Sequence, residues 1–391
     1  MIELGKALQI VRKHLLSPGK ETVSLAASPG RYLAEDLRAD RDIPPFHKAS
    51  MDGFACRKED LPGPLEVLEL LPAGQVPSER VGAGQCSRIM TGGQVPEGAD
   101  CVIMQEHVVM ESGERIRFSG SYSESHICRK GEDLRKGDLL LEEGTLLEPQ
   151  HLGMMATVGK NEVLVTRRIH AGILATGSEL VDVSEVPLGA QIRNSNSLQL
   201  AAQVQRAGHT AELLGIVMDD KDLLTEKISG LMERFDLLLV TGGASVGEFD
   251  LVPGVLQDQG FNLEFERVAM QPGKPLTFAQ RDGKVCFGLS GNPVSCFVQF
   301  EMLVKPFLCW SAGGDLPQGH IRCRMEEGFT RRKSDRLFFL PVVLRPGGGC
   351  APVEYHGSAH LHALDKLAGF AELPAGITTL KRGEEVDVRL I

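Results

Sequence analysis

The 391-residue chain lacks the features that mark several large protein classes. It has no CxxC pair. Its nine cysteines, at 56, 86, 101, 128, 286, 296, 309, 323 and 350, stand singly, which indicates neither a zinc ribbon nor a disulfide framework. It has no excess of positive charge: the formal net charge is −10, which argues against a nucleic-acid surface. It has no apolar run long enough to span a bilayer, and no signal-peptide pattern opens it, so a reduced, cytoplasmic protein is expected. Neither GxGxxG nor GxxxxGK followed by Ser or Thr occurs at its glycine-rich loop, which removes support for dinucleotide and Walker-type sites. No Ser–His–Asp or Cys–His arrangement stands out to suggest a covalent nucleophile.

What is present is an ordinary globular composition, 42% hydrophobic and 24% charged, in a chain long enough for roughly two to four domains. The most informative stretch is Phe235 to Asp250. An apolar run, Leu237 to Val240, reads as a strand buried on both faces. It breaks into Thr241, Gly242, Gly243, Ala244, Ser245, Val246 and Gly247, followed by Glu248 and Asp250. Little side chain stands in the way there, so backbone N–H groups can approach an anion. Strand, glycine-rich loop and helix build phosphate sites at the carboxyl ends of parallel strands. Taken alone, the loop is equally a tight turn that binds nothing.

Taken in order, residues 3–16 carry the apolar stripe of an amphipathic helix at Leu4, Ala7, Leu8, Val11 and Leu15. Residues 44–55 (PPFHKASMDGFA) enter extended through two prolines and suit a turn with Asp52 at its tip; His47 reads as a surface residue. From about Leu61 to Glu132 short strands and turns alternate, and Leu146 to Gly159 reads as a helix with Pro149 in its first turn. From Arg168 the pattern becomes strand–helix–strand, with strands ending near Thr176, Val217, Val240 and Leu289; a helix after Pro293 is expected to stop at Pro306. Beyond Gly319 a small, mostly β domain is expected, with Arg331, Arg332 and Lys333 in a solvated turn.

Loops at the carboxyl ends of neighbouring parallel strands meet at one edge. Here they are Thr176-Gly177-Ser178-Glu179, Asp219-Asp220, the Thr241–Asp250 loop and Ser290-Gly291-Asn292-Pro293, with Lys274 on a nearby Pro-Gly-Lys-Pro segment. Together they describe a pocket of backbone donors, hydroxyls, one cation and several carboxylates. Glu179, Asp219 and Asp250 would repel a phosphorylated ligand unless a divalent cation such as Mg²⁺ bridged them to it, and Asp219 and Asp250 are the expected metal ligands. A helix begins after Asp219 and Asp220, so the alternative role for either is a helix cap.

The segments PPFHKASMDGFA, RIMTGGQVPEGADCVIMQE, ILATGSEL, IRNSNS, VTGGASVGEFD, QPGKPLTF and GLSGNPVSCF, in that order, resemble the molybdopterin molybdenumtransferases, bacterial MoeA and the corresponding domain of gephyrin. Weaker similarity in FAELPAG and RGEEVDVRL continues to the C-terminus. The resemblance implies a multidomain α/β protein. Its parts would be an elongated N-terminal region over 1–167 with a β-rich insertion at about 46–137, a parallel-sheet molybdopterin-binding domain over 168–312, and a C-terminal β domain over 319–391. It implies a homodimer, a molybdopterin adenylyltransferase as upstream partner, and a reaction in which molybdate and Mg²⁺ act on adenylyl-molybdopterin with release of AMP. By motif match it gives catalytic roles to Asp52, Thr91, Asp133, Glu179, Asp250 and Lys274. The first three would reach the pocket across a dimer interface. Ligand binding falls to Thr176, Gly177, Ser178, Thr241, Gly242, Gly243, Ser245, Gly247, Ser290, Gly291, Asn292 and Pro293.

Two departures stand out. Many members have proline where Ser290 stands and lysine where Gln271 stands. The serine would add a hydroxyl donor to the anion pocket; the glutamine would leave more of the anion binding to Lys274. Two rivals remain: a scaffold that keeps the pocket without turnover, and an adenylyltransferase. The N-terminal SMDG and TGG segments disfavour the second, and the carboxylates disfavour the first.

Overall fold

Alternating burial in one strand organises the α/β region. Leu237 and Leu239 enter one hydrophobic core and Leu238 and Val240 the other, so both faces of the strand are covered. The computed structural model describes residues 1–111, 113–121, 124–231, 233–242, 251–315 and 319–391. These form two compact units: Met1–Glu35 with Glu143–Glu148 and Glu162–Ile391, and Asp36–Glu142 with Pro149–Asn161.

In the first unit the α/β sheet comprises β1 (His170–Thr176), β2 (Thr210–Val217), β3 (Leu237–Thr241), β4 (Asn262–Arg267), β5 (Pro275–Arg281) and β6 (Lys284–Leu289), in spatial order β2-β1-β3-β6-β5-β4. The strands β2, β1, β3 and β6 pair in parallel, as the strand–helix alternation predicts; β5 and β4 are antiparallel additions. Helices α1 (Ser195–Arg206) and α4 (Pro293–Gln299) place Leu200, Val204, Val294 and Val298 against one face. Helices α2 (Lys221–Leu231) and α3 (Leu251–Asp258) place Leu224, Ile228, Val252 and Leu256 against the other.

Pro306 does not end the helix that α4 begins. Residues Phe300–Val304 form a π-helical turn and the helix resumes over Lys305–Ser311 with the proline in its first turn. Proline lacks an N–H and its ring crowds the carbonyl four residues back. The wider turn before it takes up that mismatch. The N-terminal helix, Leu4–Val11, buries Ala7 and Val11 in the same core.

The C-terminal strands close on themselves. Leu337–Leu344 pairs with Gly349–Pro352, which pairs with His320–Met325, then Glu385–Leu390, then Gly369–Leu373, which returns to Leu337–Leu344. Closure leaves no free edge within the ring. Met270–Gln271 adds beside Leu337–Phe338. Arg331 is not in a solvated turn: it is buried, and its guanidinium donates to the carbonyls of Ile377, Arg336 and Pro374. Those three oxygens come from two later turns, so the cationic run gave no sign of them.

The second unit carries a six-stranded sheet in the spatial order Cys101–Met104, Gly53–Cys56, Gln85–Ile89, Leu65–Leu71, Arg115–Phe118, Val108–Met110. Phe54, Cys56, Leu65, Cys86 and Ile103 share one face and Ala55, Leu71, Ile89 and Val102 the other. All nine cysteines are free thiols, and all but Cys128 are buried.

Candidate active site

The carboxyl ends of β1, β2, β3 and β6 open on one cavity of about 560 Å³. It is lined by Thr176, Gly177 and Glu179 after β1, Asp219 after β2, Thr241 and Gly242 at the end of β3, and Ser290 to Pro293 after β6. That volume lies in the range of small-molecule sites. The described residues of the four strand-end loops thus line one cavity, with residues 243–250 of the third loop outside them.

Asp219 and Asp220 divide the two roles that their sequence left open. Asp220 accepts the N–H groups of Asp222 and Leu223 at 3.0 and 2.9 Å and caps α2. Asp219 turns to the cavity. Its Oδ1 accepts from the Thr176 hydroxyl at 2.8 Å and its Oδ2 takes only a long bond, 3.4 Å, from the Ser178 N–H. The Ser178 hydroxyl accepts the Asp219 N–H at 3.2 Å. The β1 and β2 loops are therefore tied to each other, and one carboxylate oxygen keeps spare accepting capacity.

A second set of bonds joins β3, β6 and α1. Asn196 Nδ2 donates to Thr241 Oγ1 at 3.0 Å and to the Gly291 carbonyl at 2.8 Å; Thr241 Oγ1 donates in turn to the Ser290 carbonyl at 3.2 Å. Asn194 caps α1 by accepting the Ser197 N–H. Gly242 has φ +100°, and a Cβ there would stand 1.9 Å from the Thr176 carbonyl oxygen, so only glycine lets β3 end this close to β1. Ser290 is buried, and its hydroxyl accepts the Asn292 N–H at 3.2 Å. Cys296, 3.8 Å from Thr241 Oγ1, is fully buried and its thiol is pushed up to about 12, which leaves it inert as a nucleophile.

Two walls were not legible as site residues. Arg193, next to the α1 cap, lines the cavity as a cation; its Nε donates to the Glu185 carbonyl at 2.9 Å. Ala359 and Leu361, from the C-terminal ring's loop, form an apolar wall with Leu180 and Ile192. That loop is held by the Val294 N–H, which donates to the Ser358 carbonyl at 3.0 Å. Only the basic residue's place in IRNSNS gave any sign of Arg193, and nothing in the sequence ties Ser358 to Val294.

Lys274 is not among the residues lining this cavity. Gly243, Ser245, Gly247 and Asp250 lie outside the described residues. Asp52, Thr91 and Asp133 belong to the second unit. There Asp52 Oδ1 accepts both the N–H and the hydroxyl of Thr91, each at 2.7 Å, and these two bonds hold its carboxyl below the usual carboxylate range. The Asp133 N–H donates to the Ile43 carbonyl at 3.1 Å. Among the described residues no three His, Cys, Asp or Glu side chains converge as a metal centre. The oxygen-only donors Asp219 and Glu179 on one cavity fit a hard cation that keeps most of its waters.

Chemically, the cavity offers amide hydrogens, hydroxyls and a guanidinium for anions, carboxylates for a divalent cation, and an apolar wall for a ring. Comparison with known proteins agrees over the whole length. Residues 2–159 match the MoeA N-terminal region (domain I and II), residues 172–310 a probable molybdopterin binding domain, and residues 324–391 the MoeA C-terminal region (domain IV). The molybdopterin molybdenumtransferase of Bacillus subtilis (strain 168) is 36% identical, covering 95% of this chain and 90% of its own length. That of Staphylococcus aureus (strain N315) is 35% identical over 100% of this chain and 95% of its own. The crystal structure of the molybdopterin biosynthesis MoeA protein from Pyrococcus horikoshii OT3 superposes with a TM-score of 0.85 at 30% identity, covering both chains completely. With its cavity walls and its full-length relatives in agreement, the chain belongs to the molybdopterin molybdenumtransferase (MoeA) family.

Proposed function

We propose that the protein inserts molybdenum during molybdenum cofactor synthesis: it binds adenylyl-molybdopterin in the cavity at the strand ends and, with molybdate and Mg²⁺, releases AMP and leaves the metal on the dithiolene. The observation that carries this reading is the convergence of Thr176, Glu179, Asp219, Gly242 and the Ser290–Pro293 loop on one cavity that Arg193 also lines. Cleaving a phosphate-linked nucleotide needs positioning and charge stabilisation more than a covalent nucleophile. Asp219 and Glu179 would hold the magnesium ion, with Asp250 a further candidate. When bound, that ion neutralises charge on the phosphate oxygens. The hydroxyl of Thr176 orients Asp219, Asn196 fixes the β3 and β6 loops at one spacing, and Arg193 is placed to meet an anion. Leu361 and Ile192 supply an apolar face for a planar ring. The protein works as a homodimer fed by an adenylyltransferase, with Asp52, Thr91, Asp133 and Lys274 contributing to turnover.

The test incubates purified protein with adenylyl-molybdopterin, Mg²⁺ and molybdate and follows AMP. Molybdate-dependent AMP release supports the reading. No AMP would leave a scaffold, and consumption of ATP with molybdopterin would make the protein an adenylyltransferase.

A further inference from the structure

We infer that Gln299 is a positioning residue that fixes the Ser290–Pro293 loop and the turn bearing Lys274 at one spacing. The inference rests on the proposed reaction, in which both segments act. Gln299 is the last residue of α4 and is completely buried. Its Oε1 accepts the Ser290 N–H at 2.8 Å. Its Nε2 donates to the Gly273 carbonyl at 3.0 Å and to the Pro275 carbonyl. Carbonyls only accept, so the amide orientation is fixed, and both of its N–H groups are used. The two carbonyls flank Lys274, whose own carbonyl accepts the Val268 N–H at 3.0 Å, so the turn carrying that lysine is held by the Gln299 side chain together with backbone bonds.

The fit is tight as well as polar. Gly273 has φ +104°, and a Cβ there would lie 2.9 Å from Gln299 Cγ. On its other side the segment is held as a strand, Met270–Gln271, beside Leu337–Phe338. The Ser290 end of this tie needs a residue with a backbone N–H. Proline has no N–H to give, so serine at 290 and glutamine at 299 act as a pair. The contribution of Ser290 through its backbone donor is separate from its hydroxyl, which is engaged by Asn292.

Three variants test the pair: Gln299→Leu, which keeps the volume and removes all three bonds, Ser290→Pro, and the two combined. Gln299→Leu should raise the molybdate concentration for half-maximal AMP release about tenfold, because a displaced Lys274 ammonium would meet the anion less well. Direct binding of AMP should change far less. Ser290→Pro should act in the same direction, and the double variant should be no worse than the poorer single. Hydrogen exchange gives a readout independent of turnover: peptides covering 271–276 should exchange faster in both single variants. Gly273→Ala, which pushes on Gln299 from the turn, serves if Gln299→Leu fails to fold. An unchanged molybdate requirement in Gln299→Leu with Asp219→Ala inactive, or multiplying effects in the double variant, would overturn the inference and leave the reaction standing. If the unmodified protein releases no AMP, the reaction fails, and unchanged exchange at 271–276 then overturns the tie as well.

Discussion

The cavity of the α/β sheet and the Asp52–Thr91 turn are built on opposite principles. In the cavity several polar groups tie two neighbours together: Thr241 receives from Asn196 and donates to the Ser290 carbonyl, while Asp219 is tied to both Thr176 and Ser178. Thr176, Asn196 and Thr241 are buried and Asp219 is half-buried, so leaving one of them unpaired costs its desolvation. In the turn one exposed carboxylate oxygen takes two bonds from a single residue. A change in the cavity should therefore spread through the fold, whereas a change in the turn should stay local.

The strongest challenge to that contrast is Gly242→Ala. It meets the Thr176 carbonyl and a positive φ together, and we expect a loss of about 3 kcal/mol or more in urea unfolding. A wild-type midpoint would break the picture of an interlocked cavity. Next is Asp219→Ala, expected to cut AMP release about a hundredfold and to lower the melting temperature by a few degrees as the Thr176 hydroxyl loses its acceptor.

Titration sharpens the comparison further. His209 is buried, its Nδ1 accepts the Ile169 N–H at 3.1 Å, and burial pushes its pKa down to about 4. The native state keeps it neutral while the unfolded chain binds a proton below its ordinary value near 6.5. Stability should fall as pH drops from about 6.5 to about 4, by up to about 1 kcal/mol per unit, and His209→Gln should flatten that slope. The smallest effect is expected at the turn. Thr91→Val removes one of the two bonds to Asp52, so the Asp52 carboxyl should titrate closer to its ordinary value by NMR while the urea midpoint stays put.

The sequence was readable where local pattern decides structure. Leu237–Val240 announced a doubly buried strand, and four strand-end loops announced one edge. It was unreadable where a distant partner decides. Asp219 and Asp220 are chemically alike, and only the helix start at Lys221 shows which one caps. Arg331 looked solvated because its three acceptors lie elsewhere in the chain. Pro306 looked like a stop because a π-helical turn has no simple periodic signature. Ser290 was expected to matter through its hydroxyl, and the structure adds its N–H, which finds Gln299 only once α4 has formed.

One bond also sets an order of events. The amide of Val294, at the start of the helix that faces the cavity, is given to the carbonyl of Ser358, and the neighbouring Ala359 and Leu361 complete the wall. On the ribosome the strands and their loops emerge long before that wall. A nascent chain lacks the last side of its container until residues 359–361 have been synthesised. The same ring also sends Phe339 and Phe370 into the core beneath the sheet, so the part of the chain that completes the cavity also completes its support.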